Sequence, residues 1–498
     1  MELLTRDLLR SRNLSVAVDV STPVKIMQFG EGNFLRAFVA WLVEQLNVSG
    51  HFTGAIRVVQ PLRKGMIREL ANQDGLYTVL LRGMANGGVA ESRDLIGSVV
   101  DCLDPYTEWG RFLETSCDPD LNFIVSNTTE AGIAYVAQPR PNGQAPESFP
   151  AKVAAMLVKR HQALGGGEGT ELAFLPCELI EKNGAALREV VLRHLDDWEC
   201  GEGVKDWVGR DCRFYNTLVD RIVTGYPTSE AEAIQNQLGY EDRLLITGEL
   251  FHFWAIEGDQ RLKKELPFAE AGLNVVVTDD ITPYRDCKVR MLNGSHTGNI
   301  LAAYLAGIET VGEMMEDQLF NASVREMLFS EILPCVQLPA EKREAYAVAT
   351  LERFRNPYIH HKLIDVALNS VSKWKVRNLP SLKDYLAAFG CLPKRLAFSL
   401  AALIVFYRGE LLDGDYSGVR AKGKYPIRDH EGVIKVFASE WNSLGNNIPA
   451  LTCNLLSNTT LWDEDLSAIP GLVDAVSAAI DNIVANGAAE ALASLQSQ

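Results

Sequence analysis

A short apolar strand that runs straight into a glycine turn constrains the fold of this chain more than any other feature. Val24–Phe29 (VKIMQF) is followed by residues 30–32 (GEG) and then by a run with helical periodicity. This order is typical of a dinucleotide-binding fingerprint, because glycines permit a tight turn and a close approach of backbone N–H groups to a pyrophosphate. Leu35 stands in place of the third glycine. A glycine turn that binds nothing is therefore the alternative at this point.

Further strands of an α/β fold are predicted downstream. Residues 55–60 (AIRVVQ), 121–126 (LNFIVS) and 170–176 (TELAFLP) are apolar runs of strand length. Gln60 lies at the end of the second strand, where an acid commonly binds the ribose of NAD. Arg63 and Lys64, which come next, could bind the 2′-phosphate of NADP. The sequence is therefore compatible with either cofactor. Asn127 and Glu130 follow the third strand, at the edge where open sheets bind ligands; a capped helix start is the equal alternative.

The length of 498 residues predicts two or three domains. From about residue 281 the strand patterns give way to long amphipathic helices. We therefore expect an α/β domain over residues 1–280 and a mainly helical domain over residues 281–498. Residues 396–407 are mostly apolar, and this run predicts a buried helix, because a membrane span needs about 20 residues.

Composition limits the partners. The formal net charge of −16 disfavours nucleic acid and anionic membranes. Nine scattered cysteines without a CxxC motif, and a start without an apolar signal core, indicate a reduced, cytoplasmic chain. No metal site is predicted from the histidines, and His360-His361 is interpreted as a pair on a helix surface. A small-molecule substrate fits best, and the sequence leaves the oligomeric state open.

The best catalytic candidate is a trio of polar side chains at the start of the second domain. Lys288, Asn293 and His296 lie where a strand-like run changes into a helix. At the α-helical spacing Asn293 lies about 140° and His296 about 80° round from Lys288, so the three share one face. In an unbroken helix Lys288 and His296 are roughly 12 Å apart along the axis, so convergence requires long side chains or a break, at Gly294 or at the helix start.

This trio suits hydride transfer between a nicotinamide and a carbinol carbon. A lysine whose pKa is lowered by burial can take the proton from the alcohol, or return it to the ketone. Amide and imidazole groups can donate hydrogen bonds to that oxygen as charge develops. A lysine and a histidine on one helix face are more often a structural or solvated pair than a catalytic one. Together with the glycine turn, however, catalysis is favoured.

Several motifs resemble the polyol-specific long-chain dehydrogenases, the mannitol dehydrogenase family, over nearly the whole chain. The motifs are the glycine loop with Asn33-Phe34-x-Arg36, Asn183-Gly184, Asp220-Arg221-Ile222, Lys288-x4-Asn293-x2-His296 and Arg353-Phe354-x-Asn356-Pro357. The segments FGEGNFLRAF, SNTTEAGI and LPCELIEKNG are most similar to the branch that interconverts D-tagaturonate and D-altronate.

The resemblance implies a metal-free, NAD-dependent oxidoreductase of hexuronate catabolism, with a Rossmann-type N-terminal domain and a mainly helical C-terminal domain. The alternatives are a fructuronate reductase or another polyol dehydrogenase of the family and, from another class, a dinucleotide-binding sensor without catalysis. The residues expected to contact the cofactor are Phe29, Gly30, Gly32, Asn33, Phe34, Leu35, Arg36, Gln60 and Asn127.

Catalytic roles also follow from the resemblance. Lys288 is similar to the general acid/base of the family, and Asn293 and His296 to the groups that polarise the reacting oxygen. Asn183 corresponds to a second amide at that oxygen, and Asp220 to a residue that orients His296.

Substrate contacts are less defined by the resemblance. Glu130 is similar to a glutamate that lines a solvent channel near the lysine. A hexuronate carboxylate requires a cation, and the candidates are Arg353, Arg355 and Lys373. Phe38 stands where the polyol enzymes usually have a histidine, and residues 177–179 (CEL) stand where they have Cys-Asp-Asn. These departures indicate a substrate other than mannitol.

Overall fold

The computed structural model describes residues 1–412 and 415–495, without the side chains of Glu130, Leu411 and Leu412. The chain divides into two compact units. The first comprises Met1–Arg82 and Val89–Ile281, and the second comprises Gly83–Gly88 and Thr282–Gln498.

The first unit alternates strands and helices. Its strands are β1 (Val24–Phe29), β2 (Ala55–Val59), β3 (Tyr77–Ala85), β4 (Gly88–Ile96), β5 (Val99–Leu103), β6 (Phe123–Ser126), β7 (Ala173–Pro176), β8 (Arg213–Phe214), β9 (Thr217–Asp220), β10 (Val223–Gly225), β11 (Ile246–Gly248), β12 (Phe253–Glu257) and β13 (Val275–Thr278); the β3–β4 turn falls in the second unit. Its helices are α1 (Arg6–Ser11), α2 (Asn33–Ala37), α3 (Val39–Val48), α4 (Ile67–Asn72), α5 (Trp109–Thr115), α6 (Phe149–Leu164), α7 (Asn183–Asp197), α8 (Glu202–Arg210), α9 (Ala231–Leu238) and α10 (Gln260–Glu265).

Six strands form one parallel sheet, in the order β5-β2-β1-β6-β7-β8. Numbered by their order of use, these strands follow the 3-2-1-4-5-6 arrangement of doubly wound dinucleotide-binding folds, which confirms the predicted Rossmann-type architecture. Strand β2 is buried along its whole length, as expected for a parallel strand covered on both faces. The strand order reverses between β1 and β6, so the glycine turn after β1 lies at the switch point, where such sheets bind ligands.

Two smaller sheets complete the first unit. One has the order β10-β11-β3-β4, and the other has the order β13-β12-β9. In the second of these, β12 is parallel to β13 and antiparallel to β9, with Phe253 opposite Asp220. The pairing places Asp220 at the buried end of β9.

The second unit is mainly helical, as predicted, with a small sheet that the sequence patterns did not indicate. Its helices are α11 (Thr282–Cys287), α12 (Ser295–Leu305), α13 (Val311–Glu316), α14 (Gln318–Glu326), α15 (Ala340–Phe354), α16 (Leu363–Val366), α17 (Ser370–Arg377), α18 (Leu379–Phe389), α19 (Lys394–Phe406), α20 (Glu431–Leu444), α21 (Ile448–Ser457), α22 (Thr459–Trp462), α23 (Leu472–Asn486) and α24 (Ala488–Ser494). The strands β14 (Gly409–Leu412), β15 (Asp415–Arg420) and β16 (Gly423–Pro426) form an antiparallel sheet in that order.

Helix α19 lies in the core of the second unit. Every residue from Arg395 to Tyr407 is buried, which confirms the prediction of a buried helix over residues 396–407. Across the described parts of the chain, no helix combines the length and apolarity that a membrane crossing requires.

Candidate active site

The two glycines of the turn after β1 have different physical requirements. Gly30 has a φ of +128°, and a Cβ at this position would lie 3.0 Å from Leu35 Cδ1 and 3.3 Å from the Asn127 carbonyl oxygen. Only glycine suits that conformation and that space. A Cβ on Gly32 would meet nothing within 4 Å, so its backbone is open to an approaching group. The turn therefore fits a pyrophosphate, which needs close backbone approach.

Arg36 holds the shape of this turn. Its side chain is 1% exposed, and burial lowers the pKa of its guanidinium. Nε donates to the Glu31 carbonyl oxygen at 2.9 Å, Nη1 to the Leu244 carbonyl oxygen at 2.8 Å and Nη2 to Asn33 Oδ1 at 2.9 Å. All three nitrogens are thus engaged within the first unit, so Arg36 contributes by positioning the loop.

Aromatic residues beside the turn belong to the core. Phe29 is fully buried, with its ring centroid 4.9 Å from that of Phe149. Phe34 stacks on Phe38 at 5.0 Å, and Phe38 packs against Trp254 at 5.7 Å. Any cofactor contact of Phe29 is therefore through its backbone. Phe38, which stands where the polyol enzymes usually have a histidine, is a packing residue.

The two predicted contacts at strand ends are held in place by nearby carbonyl groups. Gln60 is buried, and its Nε2 donates to the Leu62 carbonyl oxygen at 2.8 Å. Asn127 is half-buried, and its Nδ2 donates to the Cys177 carbonyl oxygen at 3.2 Å. Both lie at the carboxyl edge of the parallel sheet, where a dinucleotide binds in folds of this type.

Asn183 is fully buried, at the first position of α7. Its Nδ2 donates to the carbonyl oxygens of Pro176 at 2.9 Å, Glu178 at 3.1 Å and Thr217 at 3.1 Å, while its Oδ1 accepts from the backbone N–H groups of Gly184 at 2.9 Å and Thr217 at 2.8 Å. The amide therefore ties β7 to β9. Its predicted contact with the substrate oxygen stays a prediction, which requires the substrate to share or replace one of these bonds.

The segment after β6 is not the capped helix start that the sequence offered as an alternative to a ligand contact. A 3-10 turn spans Glu130–Ile133 and follows Thr129, whose φ is +78°. The side chain of Glu130 lies outside the described part of the structure, so its predicted role stays a prediction. Glu178 stabilises the start of this segment, because it accepts hydrogen bonds from Ser126 Oγ at 3.0 Å and from the Thr128 N–H at 2.9 Å.

Asp220 and Arg221 are both buried at the end of β9. Arg221 donates to the carbonyl oxygens of Ala37 at 2.7 Å, Phe251 at 3.1 Å and Leu250 at 3.3 Å. Burial lowers the pKa of Arg221 to about 9. Arg221 therefore links neighbouring segments of the first unit, and the predicted orienting role of Asp220 stays a prediction.

The Lys288–His296 segment is helical throughout, and the predicted strand-like run before Lys288 is wrong. Helix α11 passes into a π-helical stretch over Lys288–Gly294, and α12 begins at Ser295. A π-helix closes i→i+5 hydrogen bonds, so its turns are wider and it rises less per residue than an α-helix. The α-helical spacing assumed from the sequence does not apply here, because the break expected near Gly294 extends over the whole stretch.

Side chains secure the end of the π-helical stretch. Ser295 Oγ donates to the Met291 carbonyl oxygen. Asn378 Nδ2 donates to the Gly294 carbonyl oxygen at 3.1 Å, and a Cβ on Gly294 would lie 3.1 Å from the Arg377 carbonyl oxygen. The close approach of the end of α17 therefore fixes where the helix changes its hydrogen-bonding pattern. Lys288 and Asn293 are half-buried within this stretch.

His296 has an unsatisfied nitrogen. Its Nε2 is buried and has no hydrogen-bond partner in the part of the chain that the structure describes. Its ring centroid lies 5.3 Å from that of Phe354 and 6.3 Å from that of His361. Burial, followed by the charges of His361, Arg377 and Lys373, lowers the pKa of His296 to about 3. The imidazole is therefore neutral near pH 7 and is free to bond to a ligand.

His360 and His361 do not form the expected pair on a helix surface. They lie in the segment between α15 and α16, and the His361 ring approaches His296. Burial lowers the pKa of His361, with a smaller contribution from Arg353. His361 thus belongs to the surroundings of the candidate site.

Two cations from α17 lie near His296. Arg377 Nη1 donates to Thr297 Oγ1 at 3.0 Å, and Lys373 Nζ donates to the Val366 carbonyl oxygen at 2.8 Å. Burial lowers the pKa of both groups. Within the described residues Arg377 has no acidic partner. Arg377 was not among the carboxylate-binding candidates predicted from the sequence, although its i, i+4 spacing from Lys373 places both on one helix face.

The other two predicted carboxylate-binding candidates lie in different surroundings. Arg353 is buried at the end of α15, where its charge acts on His361. Arg355 is exposed, and its Nη2 donates to Asn321 Oδ1 at 3.3 Å. The described residues contain no group of three or more His, Cys, Asp or Glu side chains arranged to hold a metal ion.

Family models match both parts of the chain. Residues 24–270 match the mannitol dehydrogenase Rossmann domain, and residues 280–484 match the mannitol dehydrogenase C-terminal domain. Among solved structures, mannitol 2-dehydrogenase of Pseudomonas fluorescens, in a ternary complex with NAD and D-mannitol, is 22% identical with a TM-score of 0.68 over 100% of both chains. Substrate-free D-sorbitol dehydrogenase is 21% identical with a TM-score of 0.79, over 98% of this chain and 100% of that chain.

Two curated relatives match almost end to end. The altronate oxidoreductase of Halalkalibacterium halodurans is 42% identical over 503 aligned residues, which cover 100% of this chain and 98% of the relative. The altronate oxidoreductase of Yersinia enterocolitica is 41% identical over 478 residues, which cover 95% and 97%. The glycine turn at the switch point and the Lys–Asn–His segment thus occur in a chain that belongs to the mannitol dehydrogenase family.

Proposed function

We propose that this protein is an NAD-dependent oxidoreductase that interconverts D-altronate and D-tagaturonate. The relatives that match at 41–42% identity over nearly the full chain are altronate oxidoreductases. The observation that carries the proposal is the neutral His296, on which the charges of Arg377 and Lys373 act, in the helical segment that also carries Lys288 and Asn293. Such a site combines proton transfer at a carbinol oxygen with attraction for an anionic substrate.

Lys288 is the general acid/base in this proposal. In the oxidative direction it accepts the hydroxyl proton of altronate while the carbinol carbon gives up a hydride, and in the reverse direction it returns a proton to the ketone oxygen of tagaturonate. When bound, NAD supplies the hydride acceptor. Charge balance is kept, because one proton and one hydride leave the same CH–OH group.

Asn293 and His296 stabilise the charge that develops on the reacting oxygen. A neutral imidazole donates one hydrogen bond without competing with Lys288 for the proton, since the pKa of His296 is lowered to about 3. The buried, unpartnered Nε2 supports this role. Asn183 and Asp220 are kept as supporting groups on the strength of the family motifs.

The substrate carboxylate is assigned to Arg377 and Lys373. Arg377 has one nitrogen on Thr297 and no acidic partner in the described chain, so its guanidinium retains donors for a carboxylate. Arg355 is exposed and engaged with Asn321, which makes it the weaker of the earlier candidates. Arg353 is buried beside His361 and acts through the local charge.

The glycine turn supports binding of the dinucleotide. The positive φ of Gly30 and the open backbone at Gly32 fit a pyrophosphate at the switch point of the sheet. The contacts assigned to Leu35 and Arg36 are contacts of the loop backbone, since their side chains are 1% exposed, whereas the side chains of Asn33 and Phe34 remain accessible.

Steady-state kinetics of the purified protein test the proposal. With NADH, tagaturonate is expected to be the best substrate among tagaturonate, fructuronate and fructose, compared by kcat/KM. Preference for fructuronate would identify a fructuronate reductase, and preference for fructose would identify a neutral polyol dehydrogenase. Binding of NADH without turnover of any of these ketoses would indicate a sensor.

A further inference from the structure

A carboxylate occupies the corner at the end of β2, although β2 itself ends without one. Glu31 lies between the two glycines of the turn and is 7% exposed. Its Oε1 accepts a hydrogen bond from the Met66 N–H at 3.2 Å. A Cβ at Gly65 would overlap Oε1 of Glu31 and lie 2.6 Å from Oε1 of Gln60. The carboxylate of Glu31 and the amide of Gln60 are therefore neighbours across Gly65.

Glu31 is incompletely satisfied for a buried carboxylate. Its donors in the described chain are its own N–H and that of Met66, whereas a carboxylate has about four lone-pair sites. The nearest cation, Arg36, donates to the backbone carbonyl of Glu31 rather than to the carboxylate. Burial raises the pKa of Glu31, as expected for a carboxyl group without a close counter-ion. Hydroxyl donors from a ligand would complete its hydrogen bonding.

We propose that Glu31 binds the hydroxyl groups of the adenosine ribose and thereby selects NAD over NADP. This inference rests on the proposed binding of a dinucleotide at the glycine turn. In folds of this type the acid for the ribose follows the second strand, beside the glycine turn. Here the acid comes from the turn itself and reaches the same corner, next to Gln60. A 2′-phosphate would bring two negative charges against this carboxylate.

Of the two basic residues that follow β2, Arg63 is already engaged. Arg63 Nε donates to Glu147 Oε1 at 2.9 Å, and its guanidinium lies 4.8 Å from the centroid of the Tyr106 ring. Lys152, fully buried, donates to the carbonyl oxygens of Pro61 at 3.1 Å and Glu147 at 2.8 Å. The loop after β2 is thus anchored with Arg63 paired to an acid, which disfavours its use as a phosphate ligand.

Equilibrium binding of NADH and NADPH to the full-length protein tests this inference. We compare wild type with Glu31→Gln, which keeps the size of the side chain and removes its charge. The dissociation constant of NADH is expected to rise about tenfold or more, because charge-assisted hydrogen bonds to the ribose are lost. Binding of NADPH is expected to stay unchanged or to tighten, so the NADPH-to-NADH ratio of dissociation constants falls.

A matched control is Glu44→Gln. Glu44 is a buried glutamate of the same unit that accepts hydrogen bonds from the backbone N–H groups of Gly97 at 2.9 Å and Ser98 at 2.7 Å. This variant is expected to lower Tm without changing the ratio of the two dissociation constants. An unchanged ratio in Glu31→Gln, with the protein folded, would overturn the role of Glu31 alone. Failure of wild type to bind either dinucleotide would overturn the proposed cofactor as well.

If Glu31→Gln does not fold, a second variant can be measured in its place. Glu31→Asp retains the charge on a shorter side chain, and it is expected to weaken NADH binding more than NADPH binding, so that the preference for NADH becomes smaller but remains. Equal loss of affinity for both dinucleotides would show that Glu31 only shapes the loop, and it would contradict the inference.

Discussion

The glycine turn of the first unit and the Lys–Asn–His segment of the second unit use their polar side chains in opposite ways. Beside the turn, all three guanidinium nitrogens of Arg36 donate hydrogen bonds to acceptors of its own unit. In the second unit, the buried Nε2 of His296 has no partner within the described chain, and Arg377 has one bond to Thr297 and no acid. The difference teaches that the groups a fold leaves unsatisfied, rather than the most buried ones, indicate ligand contacts.

The largest effect is expected from Lys288→Ala. Loss of the proton-transfer group should lower kcat by about 100-fold or more, while binding of NADH stays unchanged. Single-turnover kinetics and NADH titration measure the two quantities. The control is Lys375→Ala. Lys375 lies on α17 and forms an ion pair with Asp463, so its removal should leave kcat unaltered. Unchanged turnover in Lys288→Ala would remove Lys288 from the mechanism.

Arg377→Gln tests whether this cation, which has no acidic partner in the described chain, binds the substrate carboxylate. The KM for tagaturonate is expected to rise about 10- to 100-fold, because a charge-assisted hydrogen bond to the carboxylate is lost. The kcat/KM for tagatose, which has no carboxylate, should stay within about threefold of wild type. Lys375→Gln on the same helix is the control. Equal losses for the acid and the neutral ketose would show a structural role for Arg377 and would break the comparison.

The opposite behaviour is expected for Arg36→Ala. Its removal leaves the Glu31 and Leu244 carbonyl oxygens without their donor, so the free energy of unfolding should fall by about 1–3 kcal/mol. Denaturant unfolding measures this loss, and the same measurement on Arg377→Gln should show a smaller change. An unchanged free energy of unfolding in Arg36→Ala would contradict the structural role of Arg36.

The smallest expected effect is a change in the pH dependence of stability in His296→Gln. The folded pKa of His296 is lowered to about 3, so the unfolded chain binds the proton first as pH falls through the unperturbed value. Stability supplied by the neutral imidazole is therefore present above about pH 6.5 and is lost between there and about pH 3. As pH falls through this window, the free energy of unfolding of the wild type should therefore decrease more steeply than that of the variant.

Unfolding titrations at pH 7, 6, 5 and 4 measure that difference. His252, whose pKa burial also lowers to about 3, remains in both proteins, so its contribution cancels. Parallel pH profiles for wild type and His296→Gln would contradict a neutral, buried imidazole.

Local patterns were sufficient for the fold, and they selected most residues of the proposed site. The strand, the glycine turn and the apolar runs predicted a parallel sheet, because a strand buried on both faces must be apolar along its length. The same patterns were insufficient for Lys288–Gly294, since an α-helix and a π-helix share local residue preferences and differ only in hydrogen-bond register. The contacts between the end of α17 and Gly294, where the π-helical stretch ends, join residues that are distant in sequence.

The sequence alone determined the Rossmann-type first unit and the helical second unit, and it selected Lys288, Asn293 and His296 as catalytic candidates, because periodicity and motif spacing are properties of neighbouring residues. Only the tertiary structure decided which polar groups are satisfied. Asn183 and Arg36 form hydrogen bonds within the first unit, whereas His296 Nε2 has no partner in the described chain. The contacts of Arg377 and Glu31 make these two residues further candidates for ligand binding. The physical reason is that hydrogen-bond satisfaction and pKa depend on partners that are distant in sequence.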